Sequence, residues 1–435
     1  SYNWSRITRS LLLWTGDVRY ADELERILHN GITVSQHPAT GMFIYSLPLL
    51  TGQRKDHGTP FDTMTCCYGT GIEAYAQLAE GIYLERGGDL VVAQFVPSSL
   101  RWPSTRAGAV ELHQTTGFPE RGESTIEVDS IERPTEFAIV LRAPWWATDG
   151  VRVEVNGAPI QVPAGTGRWI DIRRTWAAGD RVHVELPMPL RVITMPDDPG
   201  LGALLSGPIV LAGIVDEESG ADDLPIAPIT GDKLAPATWL HATGPLTWRT
   251  EGMPRDRTFL PLERVVDERY GVYWPFGSPG GSRQKAYEAA LAATSDRERR
   301  TVDRVAPGDE TSERNHALDA ERSRTGEVNG RRWRDATAGG HIRYRLDVDP
   351  EVPMALGVNY FDRDGGARVF DLLVDGVRIA SERLVGNGEG RFPMVEYAIP
   401  PELTRGKRSI EVRIEPAPNG EIAGGIFGLR TLRRP

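Results

Sequence analysis

The chain has 435 residues, 40% of them apolar, enough for two to four domains and a substantial core. Its formal net charge is −10, which argues against a nucleic-acid partner or an anionic membrane surface. Two cysteines exclude a disulfide framework, and no apolar run approaches the roughly 18 residues of a transmembrane helix.

The chain opens Ser1-Tyr2-Asn3-Trp4, with no initiator methionine, basic stretch or apolar leader, the start expected of a mature or shortened product. Trp4, Ile7, Leu11 and Trp14 fall at spacings of three and four, a helical stripe, with Gly16 as its C-cap. A second helix runs through Tyr20, Ala21, Leu24, Ile27 and Leu28 and is expected to stop at Asn30-Gly31. Such a helical hairpin needs a further layer against its apolar stripe. A strand-like run, Gly41 to Pro48, and a polar loop lead to Thr63-Met64-Thr65-Cys66-Cys67-Tyr68-Gly69-Thr70-Gly71-Ile72-Glu73. There Thr70 and Glu73 have the spacing of a capping box. Ile72, Tyr75, Ala76, Ala79, Ile82 and Tyr83 would form the buried face of the helix that follows.

From about Gly87 the period changes to two. Leu90–Val96, 109–114, 124–131, 136–141, 151–155, 169–172 and 181–186 read as strands of a β-sandwich, with Asn156-Gly157 as a hairpin turn. Trp145-Trp146 has two readings, an exposed sugar platform or core aromatics, and the core reading is the commoner one. Residues 216–280 are richer in Pro, Asp and Gly, with a small β-like region ending at Tyr270-Gly271-Val272-Tyr273-Trp274. A polar helix spans about 283–300, and 310–326 reads as a charged surface loop. Alternation returns at 341–346, 354–360, 368–374 and 409–414, a second sandwich. The expected domains are 1–86, the end of a larger helical domain; 87–215, a β-sandwich; 216–282, a small β-rich accessory region; and 283–435, a linker helix with a C-terminal β-sandwich.

The adjacent pair Cys66-Cys67, at the entrance to a helix, is the chemically distinctive feature. One reading is two buried small hydrophobes. A disulfide between neighbours is strained, because their Cα atoms lie about 3.8 Å apart. The third reading is metal ligation or nucleophilic catalysis, since free N–H groups at a helix start favour a thiolate. Two cysteines alone do not complete a tetrahedral zinc site. Glu73, His57 and His37 are the nearby residues able to add a ligand, although Glu73 has its capping role and loop histidines are usually solvated.

Several blocks together resemble the β-L-arabinofuranosidase glycoside hydrolases, family 127 and relatives such as family 146. They are Trp14 to Arg26 with His29-Asn30-Gly31, Thr40 to Leu49, and Thr59-Pro60-Phe61-Asp62 leading to Cys66-Cys67-Tyr68-Gly69-Thr70-Gly71-Ile72-Glu73. Asp267 to Trp274, Thr301 to Val305 and Gly339 to Tyr344 resemble the accessory β domains of such enzymes, so the likeness spans essentially the whole chain. It implies an α+β multidomain chain: the C-terminal helices of an (α/α)6 barrel followed by β-sandwich domains. It also implies a retaining hydrolase that releases L-arabinofuranose from plant glycans, with Cys66 as a zinc-bound nucleophile and Cys67 as a second zinc ligand. Tyr45 matches an aromatic hydroxyl facing the sugar, and a core tyrosine is the competing reading.

The resemblance also places a further glutamate and cysteine ligand, and the general acid, before Ser1. The chain as given is therefore expected to be an incomplete, N-terminally shortened enzyme. Export to the periplasm or outside the cell is an expectation from the family alone. Two other functions remain: a glycan-binding fragment acting through its β-sandwiches without turnover, and a metal-binding or redox protein using the cysteine pair. Barrel helices lacking their partners would leave an apolar face that favours self-association.

Overall fold

The computed structural model describes residues 1–215, 226–328, 330–366, 368–388 and 390–434. The first ten positions of the expected accessory region, 216–225, lie outside the described residues. The chain divides into two compact units, 1–215 with 226–284, and 285–434. Among the described residues no helix is long and apolar enough to cross a membrane.

In the first unit, helix α1 (Tyr2–Thr15) ends where Gly16 takes a left-handed conformation and donates its N–H to Leu12 O at 2.8 Å. Asp17 then caps α2 (Val18–Ile27) by accepting from Arg19 N. The expected stop at Asn30-Gly31 does not occur. The chain passes through a π-turn, Leu28–Ile32, and a 3-10 turn, Thr33–Ser35. Asn30 is a clamp here: its Nδ2 donates to Pro208 O at 2.9 Å and its Oδ1 accepts from Val210 N at 2.8 Å. Its Nδ2 also donates to Arg26 O at 3.0 Å, so one side chain ties the end of α2 to a distant strand.

A four-stranded sheet (Tyr83–Arg86, Asp89–Val92, Thr135–Ala143, Arg168–Trp176) faces a six-stranded one across a single core. Trp102, Phe137, Trp146 and Trp176 are the large side chains of that core. The four-stranded sheet is covered on its other face as well. Val91, Ala93, Ala138 and Val140 pack against Leu12 of α1 and Ala21 of α2. Two-sided burial explains why Phe137 to Leu141 is an unbroken apolar run with every residue fully buried.

The Trp145-Trp146 platform is excluded by burial. Trp146 is 0% exposed and donates its Nε1 to Glu25 Oε2 at 2.6 Å. Trp145 is half-buried, with the Arg191 guanidinium 4.3 Å above its ring.

A third sheet of eight strands joins Leu190–Thr194, Leu201–Ser206 and Ile209–Ile214 to the short strands between Leu240 and Pro275. One face is packed by Trp239, Phe259 and Trp274, the other by Val34, Leu205 and Tyr270. The N-terminal segment is fastened to this second face. Gly52 N donates to Tyr270 O at 2.9 Å and Tyr270 N to Gln53 O at 3.0 Å. The Tyr270 hydroxyl reaches Pro48 O at 2.6 Å, and Lys55 Nζ reaches Leu262 O at 2.9 Å.

In the second unit, the described strands from Thr301 to Arg433 form one nine-stranded hydrogen-bonded sheet around one core, where two separate layers were expected. Its long strands Arg331–Asp347 and Ile422–Arg433 pair with three or more neighbours each, and register shifts along them bend the sheet over the core. The expected surface loop 310–326 is a short helix, Glu310–Asn315, and a strand, Asp319–Val328. Asp309 caps that helix by accepting from Ser312 N at 2.8 Å. The strand has only one partner among the described residues, so its charged side chains are those of an exposed edge.

Candidate functional site

The cysteines sit on α3 (Cys66–Ala76), and Thr65, not Thr70, is its N-cap residue. Cys66 and Cys67 therefore occupy the first turn itself, whose N–H groups have no intrahelical acceptor. Thr70 lies inside the helix and donates its hydroxyl to Cys67 O at 3.1 Å. Glu73 caps nothing; its carboxylate lies beside the Tyr2 hydroxyl and raises its pKa. The buried face also differs from expectation. Ala74 is buried, Ile72 is 62% exposed, and the helix ends at Ala76, before Ile82 and Tyr83.

What holds α3 is a ring cluster around Phe43, which is 4% exposed. Tyr68 and Tyr75 meet it edge-on, with centroids 6.3 and 5.5 Å away. Gly71 lets the helix come this close, since a Cβ there would stand 2.6 Å from the Phe43 ring. Gly58 does the same for Tyr68, whose hydroxyl occupies the space where a Gly58 side chain would begin. Phe43 and Gly58 are in turn tied together by Gly58 N donating to Phe43 O at 3.2 Å and by the bridge between Ile44 and His57. The cysteine loop is thus seated on a segment that is itself bonded to the eight-stranded sheet.

Both thiols are free, Cys66 exposed and Cys67 half-buried, and their sulfurs lie 3.9 Å apart. That is too far for a disulfide. Two sulfurs on one tetrahedral zinc, each about 2.3 Å from the metal, stand about 3.8 Å apart. The pair therefore fits one edge of such a site. Burial, and after it the neighbouring Cys66 thiol, raises the Cys67 thiol above its ordinary value. Two like groups side by side resist losing both protons unless a cation lies between them.

The other half of a zinc shell is not among the described residues, where no three His, Cys, Asp or Glu side chains converge on a common point. Glu73 is seven residues from Cys66, two turns or about 10 Å along the helix, and is turned to Tyr2. His37 and His57 stack edge to face with each other, centroids 4.9 Å apart, and neither is hydrogen-bonded to a cysteine. Tyr45 is 64% exposed, one residue beyond the Ile44–His57 bridge, so it is no core tyrosine. No hydrogen bond or ring contact joins it to Cys66 or Cys67 among the described residues. Sequence reasoning missed Phe43, Gly58 and Gly71. Their roles depend on contacts across the loop, and only the glycines' proximity to aromatics in the sequence hinted at them.

Parts of the chain match known proteins. Residues 1–80 match the family model described as the β-L-arabinofuranosidase GH127 catalytic domain, and residues 89–188 match that of the GH127 middle domain. Residues 297–432 match a family of unknown function. No protein of curated function matches the chain. Among solved structures, one described as a glycoside hydrolase is 17% identical with a TM-score of 0.51, covering 63% of this chain and 51% of its own. A GH127 β-arabinofuranosidase is 20% identical, with a TM-score of 0.49, over 63% of this chain and 48% of its own. A GH127 β-L-arabinofuranosidase from Geobacillus stearothermophilus T6 is 18% identical, with a TM-score of 0.43, over 95% and 48%. The chain spans about half the length of these solved relatives. GH127 is a family of glycoside hydrolases, and residues 1–80 and 89–188 of this chain carry sequence of its catalytic and middle domains.

Proposed function

We propose that this chain is part of a retaining β-L-arabinofuranosidase acting on arabinose-containing plant glycans, with Cys66 as its nucleophile. The observation that supports this best is the pair of free thiols 3.9 Å apart in the first turn of α3, inside the catalytic-domain match. Cys66 is the more exposed sulfur and is the one that reaches an anomeric carbon; Cys67 is the half-buried anchor. Zinc, held by both sulfurs, would supply the positive charge that keeps them deprotonated at neutral pH.

In the first step the Cys66 sulfur forms a bond to the anomeric carbon as the glycosidic oxygen leaves with a proton from a carboxylic acid. In the second, that acid, now a carboxylate, takes a proton from water, and the water oxygen displaces the sulfur. Two inversions give net retention. The Tyr45 hydroxyl, exposed on the loop between Phe43 and Gly58, donates to a sugar oxygen. The general acid and the remaining zinc ligands come from sequence beyond these residues. On the same reading α1 to α3 are helices of an (α/α)6 barrel, which accounts for Trp4 and Ile7, each 52% exposed, and Trp14, 79% exposed, on one face of α1.

The test pairs zinc content with turnover of p-nitrophenyl β-L-arabinofuranoside, for this chain and for the protein extended upstream. In the extended protein, stoichiometric zinc and hydrolysis are expected. Cys66→Ser should lower kcat by about 10³-fold or more, as loss of a covalent nucleophile does. Hydrolysis that survives Cys66→Ser unchanged would remove the cysteine mechanism. Sugar binding by this chain with no hydrolysis in either form would favour a glycan-binding role.

A further inference from the structure

Beside the cysteine loop, and distinct from it, lies a polar pocket of about 310 Å³ lined by His37, Arg54, Lys55, Asp56, His57 and Asp267. That volume is at the lower end of small-molecule sites, about 300–1,000 Å³, and suits a single monosaccharide.

Lys55 is its unusual member. The residue is 5% exposed, yet among the described residues its ammonium has one hydrogen bond, to Leu262 O at 2.9 Å. An ammonium has three donors, so two N–H groups are left without protein acceptors there. Burial pushes its pKa down to about 8, against the opposing pull of Glu263 and Glu268. A lysine held in this way costs the fold stability, which a hydrophobic side chain of the same length would not.

The histidines are set as hydrogen-bond partners rather than charges. His37 Nδ1 accepts from Ala39 N at 3.1 Å and Thr40 N at 3.2 Å, which puts its proton on Nε2. Burial, then His37 and Lys55, lowers the His57 pKa and keeps that ring neutral. The remaining charges are the cations Arg54 and Lys55 and the carboxylates Asp56 and Asp267.

We propose that this pocket is a subsite for an acidic sugar, a uronate whose carboxylate meets Lys55 and Arg54 while its hydroxyls meet Asp56, Asp267 and the histidines. Two cations alone would suit any anion. The two carboxylates repel a phosphate dianion more than a uronate monoanion, and accept from the several hydroxyls of a sugar. Gly58 of the pocket lining adjoins His57 and packs on Tyr68, the residue after Cys67. The pocket's occupant is then a further sugar of the bound glycan. That last clause rests on the glycosidase reading; the binding itself does not.

Equilibrium binding to this chain is measured by calorimetry with D-galacturonate, D-galactose and inorganic phosphate as probes. The variants are Lys55→Met, Arg54→Gln and Cys66→Ser. Galacturonate should bind about ten-fold or more tightly than galactose, and Lys55→Met should lose about that factor, the worth of a charge-assisted bond. Lys55→Met should melt no lower than the parent chain, since it removes a buried charge. Arg54 is exposed, so Arg54→Gln tests the pocket without touching the core, and should weaken galacturonate several-fold. Cys66→Ser should bind as the parent does, which separates this subsite from the catalytic reading. Galactose or phosphate binding as tightly as galacturonate, no galacturonate binding at all, or galacturonate binding unchanged in both pocket variants would each overturn the assignment.

Discussion

Arg142 is fully buried and carries two acids of α2 on its guanidinium, Asp22 at 2.6 Å and Glu25 through a bidentate contact. Its Nε donates to Ala93 O at 2.9 Å, and Glu25 also takes the Trp146 indole N–H. One cation against two carboxylates leaves an excess negative charge. Burial, with Glu25 adding to it, raises the Asp22 pKa to about 6, although Arg142 pulls the other way. A folded pKa above the unfolded value of 3.8 means that stability from this group is present at low pH and lost as pH rises through 6. The two acids should then behave oppositely. Glu25→Ala strips Arg142 and Trp146 of their partner and is expected to cost about 3–5 kcal/mol. Asp22→Asn keeps a hydrogen-bond acceptor without the excess charge and should be neutral or stabilising at pH 7.5, with the gain roughly halved at pH 5 and gone only below pH 3.8. Urea unfolding at both pH values measures each, and a large loss for Asp22→Asn at pH 7.5 would refute this account. None of this is legible from the sequence. Trp145-Trp146 leaves the platform reading open because its partner Glu25 is on another element, and pairing across the fold leaves no local pattern.

At the scale of elements, α3 shows which sequence signals are trustworthy. Thr70 and Glu73 have the right spacing for a cap, but Thr65 starts the helix and Phe43 decides where it rests. Cys66 to Thr70 is a poor helical sequence, held by tertiary packing that overrides local propensity. Signals that depend only on the backbone fare better. Gly16 takes φ 65° at the end of α1, and Asn156-Gly157 takes φ 52° and 78° in the hairpin between Arg152–Val155 and Ala158–Ile160. Two glycines of α3 supply the test. A Cβ on Gly69 would meet no atom within 4 Å, so Gly69→Ala should stabilise the helix by about 0.5–1 kcal/mol. Gly71→Ala has the same propensity gain but drives a methyl into Phe43, which Tyr68 and Tyr75 hem in. It should loosen α3 and speed the reaction of the Cys67 thiol with a disulfide reagent several-fold. Equal thiol reactivity in the two variants would show that Phe43 is not the seat of the helix.

For the whole molecule, the balance of covered and uncovered apolar surface is the informative quantity. The β sheets are closed around their own cores, and the four-stranded sheet is packed on both faces. The helical segment is not. Its sequence predicts a buried stripe at Trp4, Ile7, Leu11 and Trp14, and the periodicity does mark a helix. The buried side of α1 is instead Thr8 and Leu12, while three of the four stripe residues are more than half exposed. Phe61 at 92%, Met64 at 93% and Ile72 at 62% add to the uncovered surface around the cysteines. The helix is legible because periodicity is local; its burial is not, because that depends on what lies opposite. Exposed apolar surface of this kind drives association in water. The chain is therefore expected to self-associate in a concentration-dependent way, read by sedimentation velocity across a hundred-fold dilution series. Ile7→Glu with Trp14→Glu, both on exposed positions, should shift the distribution to monomer and leave the melting temperature within a few degrees, since surface substitutions cost about 0.5 kcal/mol or less. On the proposed barrel reading, the same two changes in the upstream-extended protein should lower its stability by several kcal/mol, because there further helices would cover the stripe and each glutamate would be a buried, unpaired charge. A parent chain that stays monomeric at every concentration, or glutamates tolerated equally in both contexts, would mean that α1 has no missing layer to cover it.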